Sequence, residues 1–249
     1  MTGRPWGWAA AGVLALVLAV SSDTALAQSV TLDMGDRSGS TSGRVLQLVA
    51  LMTVLSVAPS LLVMTTSFTR IVIVLHFVRQ ALGTQTSPPN MVISGMALFL
   101  TFFIMQPTLE KAYYDGIVPL IDGQIEENEA VERVARPFHS FMAHNVRPSD
   151  VQLFMDISKT PAVAAQADLP FKVLVPAFII SELRRAFEIG FLIYMPFIVI
   201  DMVIASVLMS MGMMMLPPVM MALPFKLIFF VLVDGWALLI GSLSQSFNP

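Results

Sequence analysis

Long apolar runs dominate the chain, and one polar block divides them. The apolar runs cover residues 44–64, 91–105, 189–215 and 223–243. An α-helix needs about 20 residues to cross the hydrocarbon core of a bilayer. The pattern therefore predicts an all-α protein with four hydrophobic segments, some of them short enough to pack on protein rather than on lipid.

Prolines divide these runs into helices that bend and turn. Pro59 lies inside the first run and predicts a kink there, because proline removes a helix hydrogen bond. Pro217 and Pro218 follow the third run and predict a tight turn. The third and fourth segments are therefore expected to form a hairpin of long, kinked hydrophobic helices.

The polar block at 109–168 predicts a helical insert outside the membrane. It contains ten acidic and five basic residues, whereas residues 190–249 contain only Asp201, Lys226 and Asp234 as charged groups. Within the block, Arg147-Pro148-Ser149-Asp150 is typical of a loop that enters a helix, since Ser and Asp side chains accept hydrogen bonds from free helix amides.

The first 27 residues have the pattern of a cleaved secretory signal peptide. Arg4 precedes an apolar run at 9–20, and Ala25-Leu26-Ala27 offers small residues for cleavage. An uncleaved anchor helix is the alternative, but the apolar run of about 12 residues is short for a membrane span. Residues 28–43 are rich in Ser, Thr and Gly and predict a flexible polar linker.

These patterns divide the chain into five parts: the signal peptide at 1–27, the linker at 28–43, a first hydrophobic helical block at 44–108, the hydrophilic helical insert at 109–168, and a second hydrophobic hairpin at 169–249. Basic residues in short loops favour the cytoplasmic side. Arg70 and Arg79 therefore predict an inside loop, with the mature N-terminus and the acidic insert on the periplasmic face of the inner membrane.

Composition and charge narrow the function. The 249 residues are 56% hydrophobic and 12% charged, with a net charge of −3 and a mean hydropathy of +0.77. Soluble domains carry about 25% charged residues, so an ordinary soluble enzyme is excluded. The negative net charge argues against nucleic-acid binding, and the lack of cysteine excludes disulfides and thiolate metal sites.

Motifs of catalysis do not occur in the sequence. It has no phosphate-binding Walker loop, no dinucleotide-binding glycine motif and no nucleophile elbow. His139 and His144 are five residues apart, which is the wrong spacing for one helix face. The sequence therefore predicts a protein that is not an enzyme and that has no cofactor and no metal site.

Methionine is concentrated near the predicted hairpin tip, where eight of the 18 methionines lie within 20 residues. These are Met202, Met209, Met211, Met213, Met214, Met215, Met220 and Met221. Methionine is flexible and adapts to different partners. Three consecutive methionines also point in different directions around a helix. Two interpretations of this methionine cluster stay open. Several chains could form a deformable plug with it, or it could be ordinary apolar filling of a buried helix end.

Charged residues inside apolar runs need partners. Asp201 lies between aliphatic residues, which predicts a proton or ion site or, as the favoured alternative, a hydrogen bond between helices. Asp234 is likewise expected to be buried and paired. Glu182 and Lys226 each adjoin an apolar run and predict a charge pair within or between chains, or two independent interfacial charges.

Long ordered motifs in this chain resemble the FliP/SctR family of type III export-gate proteins. They lie at 66–71 (TSFTRI), 88–90 (PPN), 176–191 (PAFIISELRRAFEIGF), 196–218 (PFIVIDMVIASVLMSMGMMMLPP) and 223–236 (LPFKLIFFVLVDGW). The likeness extends over roughly 44–247. The leader and the SLSQSF ending resemble the flagellar branch of the family.

The resemblance implies a homopentamer that assembles with FliQ and FliR into a conical helical channel for unfolded flagellar subunits. It also implies FlhA and FlhB as partners and the flagellar basal body as the location. Met213, Met214 and Met215 match the family's pore gasket, with Met209, Met211, Pro217 and Pro218 as its supporting loop. Glu182 and Lys226 match its charge pair between subunits.

A second hypothesis concerns a different class of protein. An ion-coupled transporter would use Asp201 as the proton carrier, because a carboxylate in an apolar helix is a suitable binding group for an ion. The substitution Asp201→Asn discriminates between the two hypotheses, because a transporter should lose ion coupling outright whereas a gate subunit should show at most an assembly defect.

Overall fold

The computed structural model describes residues 41–84, 86–161, 168–213 and 216–247. Regular structure in these residues is helical: α1 is Thr41–Met64, α2 Phe68–Ala81, α3 Asn90–Ala112, α4 Val118–Ile121, α5 Glu127–Asn145, α6 Pro148–Ser158, α7 Phe171–Ser210, α8 Pro218–Leu232 and α9 Gly235–Gln245. A π-helical turn, Tyr113–Ile117, joins α3 to α4. The predicted all-α class is confirmed.

The predicted N-terminal features fall mostly outside this part of the chain. The signal peptide at 1–27 and residues 28–40 of the linker lie outside the described residues. Helix α1 begins at Thr41, so the last three residues of the predicted linker belong to a helix.

Proline does not end the long helices. Pro59 lies inside α1, and Pro176 and Pro196 lie inside α7, which continues for 40 residues. Instead, the helices are interrupted at residues 65–67, between α1 and α2, and at 233–234, between α8 and α9. At the second interruption the axes of α8 and α9 differ by 63°. Asp234 has a positive φ of 51° at that second break.

Helix α2 lies at the centre of the larger core. Its buried side chains Ile71, Val74, Leu75 and Val78 follow the 3.6-residue period of one helix face. They pack with residues of α3, α7, α8 and α9 in one apolar cluster. This arrangement packs α2 against α3 of the first hydrophobic block and against the C-terminal helices α7, α8 and α9.

The polar insert has its own core. Met142 and Val146 at the end of α5, together with Val151 of α6, pack on Val173 and Phe178 of α7. The insert is therefore a set of packed helices that is attached to the beginning of the long helix α7.

Large apolar side chains remain exposed on α1, α3, α7 and α8. Among the described residues, Asn90–Ile121 and Phe171–Ser210 are long and apolar enough to cross a membrane. The bent pairs of helices raise the number of candidate spans to as many as four. Exposed apolar surface on this scale indicates contact with lipid or with other subunits.

Gly190 allows α7 to approach α2 closely. A Cβ atom added to Gly190 would lie 2.4 Å from Cδ2 of Phe77 on α2, which is far inside van der Waals contact. A side chain at this position would separate the two helices of the core.

Replacing Gly190 with Ala is therefore expected to destabilise the protein by about 1–3 kcal/mol, the usual cost of overpacking. The free energy of unfolding measured by circular dichroism in detergent checks this. Gly95→Ala is the matched control, because a Cβ at Gly95 on α3 meets open space. Equal effects of the two substitutions would contradict the proposed close packing.

Candidate functional site

The predicted hairpin is present, and its tip begins with a well-defined helix end. Helix α7 ends in a Schellman motif, in which the amide of Gly212 donates to the carbonyl of Met209 at 3.0 Å and the amide of Met213 donates to that of Leu208 at 3.0 Å. Gly212 has a φ of +72°, which glycine adopts without strain. Pro217 caps α8, and Pro218 occupies its first turn.

Methionines on both sides of this turn project away from the chain's own core. Met209, Met211, Met213 and Met220 are exposed, with 66% exposure for Met211 and 41% for Met213. Met214 and Met215 lie outside the described residues. In the single chain, the described methionines thus do not fill a buried helix end, and they are available for contact with another molecule.

An ion pair holds the two helices of the hairpin together below the tip. Lys226 Nζ on α8 donates to Asp201 Oδ2 on α7 at 2.6 Å. The lysine side chain is almost fully buried, and Asp201 is half-buried, with a side-chain exposure of 29%. Asp201 Oδ1 has no hydrogen-bond partner among the described residues.

Lys226 also lies beside the end of α2. A Cβ atom placed on Gly83, which follows the last turn of α2, would be 3.9 Å from Lys226 Nζ. The C-terminal end of a helix carries partial negative charge. The ammonium group therefore has favourable electrostatic interactions with both α7 and α2.

A second ion pair is completely buried at the other end of α2. Arg70 Nε donates to Glu182 Oε2 at 2.8 Å, and Arg70 Nη2 donates to Glu182 Oε1 at 2.5 Å. Both side chains are 0% exposed. A two-point contact of this kind fixes the relative orientation of α2 and α7.

The same arginine binds the C-terminal end of the chain. Arg70 Nη1 donates to the carbonyl oxygen of Ser246 at 2.9 Å and to its hydroxyl at 2.8 Å. The ring of Phe247 lies 3.6 Å from Arg70 Cζ, in cation–π contact. Arg70 thus links α2, α7 and the end of α9 through one guanidinium group.

Ser181, next to Glu182, links α7 to the polar insert. Its hydroxyl contacts Asp150 Oδ2 at 2.7 Å and accepts a hydrogen bond from the amide of Arg147 at 3.1 Å. Arg147 also lies 3.7 Å from Glu188 on α7. A helix does follow the predicted loop, but it begins earlier than expected: α6 starts at Pro148, so Ser149 and Asp150 are helical. The expected cap by a Ser or Asp side chain is wrong, because the cap residue is Arg147 without a side-chain hydrogen bond and the Asp150 carboxylate contacts α7.

The structure gives Glu182 and Lys226 different partners from the predicted one. Within the chain they do not pair with each other, because Arg70 occupies Glu182 and Asp201 occupies Lys226. A Glu182–Lys226 pair between subunits stays a prediction. It would require at least one of these buried groups to change partner.

Asp234 differs from the expectation of a buried, paired carboxylate. In the single chain it is exposed at the break before α9, where the left-handed backbone turns it away from the apolar core. Asp201 does have the predicted contact between helices.

The described residues offer no metal centre. They contain no group of three or more His, Asp or Glu side chains in a position to hold a metal ion. His139 Nε2 instead lies 2.7 Å from the carbonyl oxygen of Leu169, and His76 contacts Arg79.

The sequence patterns did not identify Arg70 as the partner of Glu182, nor Ser246 and Phe247 as further contacts of Arg70. Arg70 lies in the TSFTRI motif. Its structural role is visible only in the folded chain, where its side chain is fully buried in the core. A lone arginine directly before the apolar run that starts at Ile71 is the signal that points to a buried acidic partner.

Comparisons with known proteins place most of the chain in one group of relatives. Residues 51–243 match the FliP family. The chain is 56% identical over 235 residues to the flagellar biosynthetic protein FliP of Caulobacter vibrioides, an alignment that spans 94% of this chain and 88% of the relative. It is 55% identical over 201 residues to the protein of the same name from Bacillus subtilis, spanning 81% and 91% respectively.

Removal of either partner of the Arg70–Glu182 pair is expected to cost about 3–5 kcal/mol, because it leaves an uncompensated buried charge. Arg70→Met and Glu182→Leu test this, with unfolding in detergent as the measurement. The double variant is expected to lose less than the sum of the two single losses. Arg184→Met, which removes an exposed contact to Glu188, is the control and should change stability by less than about 0.5 kcal/mol. Additive losses would contradict direct coupling.

Proposed function

Because the chain belongs to the FliP family, we propose that it is a non-enzymatic subunit of the flagellar type III protein export gate. It assembles as a homopentamer with FliQ and FliR into a channel through which unfolded flagellar subunits pass, with FlhA and FlhB as neighbouring partners. It acts in the inner membrane and the basal body, with the mature N-terminus and the acidic insert on the periplasmic side.

The observation that carries this proposal is the exposed methionine tip on a braced hairpin. Met211 and Met213 extend from a helix end whose backbone is fixed by Gly212, and the Asp201–Lys226 ion pair joins the two helices behind them. The ion pair and the helix-end hydrogen bonds support a tip whose backbone is held in position while its methionine side chains stay flexible.

Met213, Met214 and Met215 of several copies form the gasket of the closed channel. Methionine side chains are unbranched, so they pack against one another without a fixed shape. They seal the channel against ions and yield when an unfolded chain passes. Met209 and Met211 flank this loop on one side as further methionine surface, and Pro217 and Pro218 hold it in place on the other because they restrict its backbone.

The exposed apolar surfaces support assembly with other subunits. Exposed side chains such as Phe191, Leu192 and Met202 lie along α7, and Val231 and Leu232 lie along α8. A soluble monomer rarely exposes continuous apolar surface of this kind. Packing of α7 and α8 against neighbouring copies buries it.

The contacts of Asp201 argue against the transporter hypothesis. One of its oxygens is held by Lys226, which is itself buried. Protonation of Asp201 would leave the lysine charge in an apolar environment without its counterion, and that is costly. The pair is therefore better suited to holding the hairpin together than to cycling a proton.

Replacing Met213, Met214 and Met215 together with Ala is expected to leave assembly intact and to make the closed channel leak ions, because the shorter side chains do not close the pore. Small-ion conductance of liposomes or cells that contain the assembled complex measures this. A complex that stays tight to ions would overturn the gasket.

The matched control replaces Met52, Met64 and Met91 with Ala. These three methionines are exposed on α1 and α3, away from the hairpin. The control variant should remain tight, and its assembly should be checked by native mass. Leakage of equal size from the control would show that loss of methionine in general opens the complex.

A further inference from the structure

A recess between the end of α3 and α5 holds three of the five basic residues of the polar insert. It has a volume of about 650 Å³, and its wall includes Lys111, Arg133 and Arg136 together with Asp115 and Glu129. Arg133 Nη2 contacts Glu129 Oε1 at 2.6 Å, so these two charges satisfy each other. Lys111 and Arg136 are exposed and form no ion pair in the part of the chain that the structure describes. Two bases therefore remain available against one acid, and we call this surface the basic recess.

Negative charge is exposed on another side of α5. Glu127 and Val131 each lie two residues from Glu129, which places them about 200° around the helix from that part of the recess wall. Glu126 adjoins them at the start of the helix, where its side chain makes no capping hydrogen bond. All three residues are exposed, and the two glutamates have no ion pair among the described residues. We call Glu126, Glu127 and Val131 the acidic edge.

The two surfaces also match in their apolar parts. Tyr114, which is 66% exposed, lines the basic recess with Pro119 and Pro137. The acidic edge offers Val131, which is 68% exposed. Protein interfaces are enriched in tyrosine and arginine, with charged residues at the rim. The recess and the edge are therefore complementary in charge and in apolar surface.

Their positions on α5 require the contact to be made between chains. The acidic edge and the basic recess lie on different sides of one rigid helix, so one chain cannot bring them together. A second copy can place its acidic edge in the recess of the first, and such a head-to-tail contact closes into a ring when the rotation between copies allows it.

Charge also makes a contact of this kind necessary. The polar insert has ten acidic and five basic residues, so copies of it repel one another when they are brought together at random. Like charges that face each other are costly, and complementary charges fix the register of an interface. Lys111 and Arg136 supply the positive surface that neighbouring inserts otherwise lack.

We propose that the acidic edge of one copy docks in the basic recess of the next copy, so that the polar inserts form a head-to-tail ring of their own. Lys111 and Arg136 contact Glu126 and Glu127 of the neighbour, and Val131 of the neighbour packs near Tyr114. The proposal rests on the proposed function in one respect, that several copies assemble. It is independent of the methionine gasket and of the position of α3 relative to the membrane.

Paired cysteines test the contact, because the chain has none of its own. Ser140→Cys places one on the recess wall, and Val131→Cys places one on the acidic edge. Within one chain these positions are roughly 14 Å apart along α5, which is too far for a disulfide. Oxidation of the assembled full-length double variant is expected to give linked copies beyond the dimer. Each single variant is expected to give none, because a head-to-tail contact joins two different positions.

The matched control combines Ser140→Cys with Ile157→Cys. Ile157 on α6 is 66% exposed, nearly as much as Val131, but it lies outside the acidic edge. This pair should remain unlinked under the same oxidation.

Charge reversal tests the chemistry of the contact. In the Ser140/Val131 cysteine background, Lys111→Glu with Arg136→Glu is expected to lower the linked fraction roughly tenfold, because two attractive contacts become repulsive. Adding Glu126→Lys and Glu127→Lys to the same chain exchanges the signs on both surfaces and should restore most of the linkage. Circular dichroism verifies that each variant is folded.

Four results would overturn the contact. They are linkage of a single variant into dimers, which would show a symmetric contact, equal linkage in the Ile157 control, linkage that charge reversal does not change, and no linkage in a complex of normal native mass. The last would leave the export-gate proposal standing, because native mass reports on assembly separately. A chain that stays monomeric would overturn both proposals.

Discussion

The buried contact between Arg70 and Glu182 is the constraint on which the rest of the structure depends. Two fully buried charges are tolerated only when each satisfies the other. The carboxylate is engaged at both oxygens, and the remaining guanidinium nitrogen binds the C-terminal end of the chain through Ser246. This geometry fixes how α2 lies against α7, and Gly190 then allows the two helices to approach closely.

Helix α2 connects two polar centres. Arg70 lies near its beginning, and Lys226 lies beside Gly83, just past its end. From Arg70 to Ala81 the helix extends roughly 17 Å at a rise of 1.5 Å per residue. The first centre joins the polar insert through Ser181 and Asp150, and the second joins the hairpin through Asp201. The insert and the methionine tip are therefore both attached to the long helix α7, through Ser181 and Asp201 respectively, and α2 packs against that helix.

The sequence predicted the helices far better than the contacts between charges. Apolar runs of helical length, the acidic insert and the Pro217–Pro218 turn are local patterns, and each corresponds to an element of the fold. The partners of Glu182 and Lys226 are distant in the chain, since Arg70 precedes Glu182 by 112 residues. Spacing along a sequence does not specify which of several charged residues meet in a core. Asp234 shows that even local sequence context is insufficient. It lies inside an apolar run, which predicted burial, but a break between two helices leaves it exposed.

In the proposed gate, the hairpin tips of several copies meet around one axis. The chain has no cysteine, so a single Met213→Cys substitution reports on that contact without interference. Oxidation of the assembled complex is predicted to join copies through this position, whereas Met91→Cys on the exposed face of α3 should give no comparable crosslink. Crosslinks at Met91 but none at Met213, in a complex of normal mass, would contradict the account.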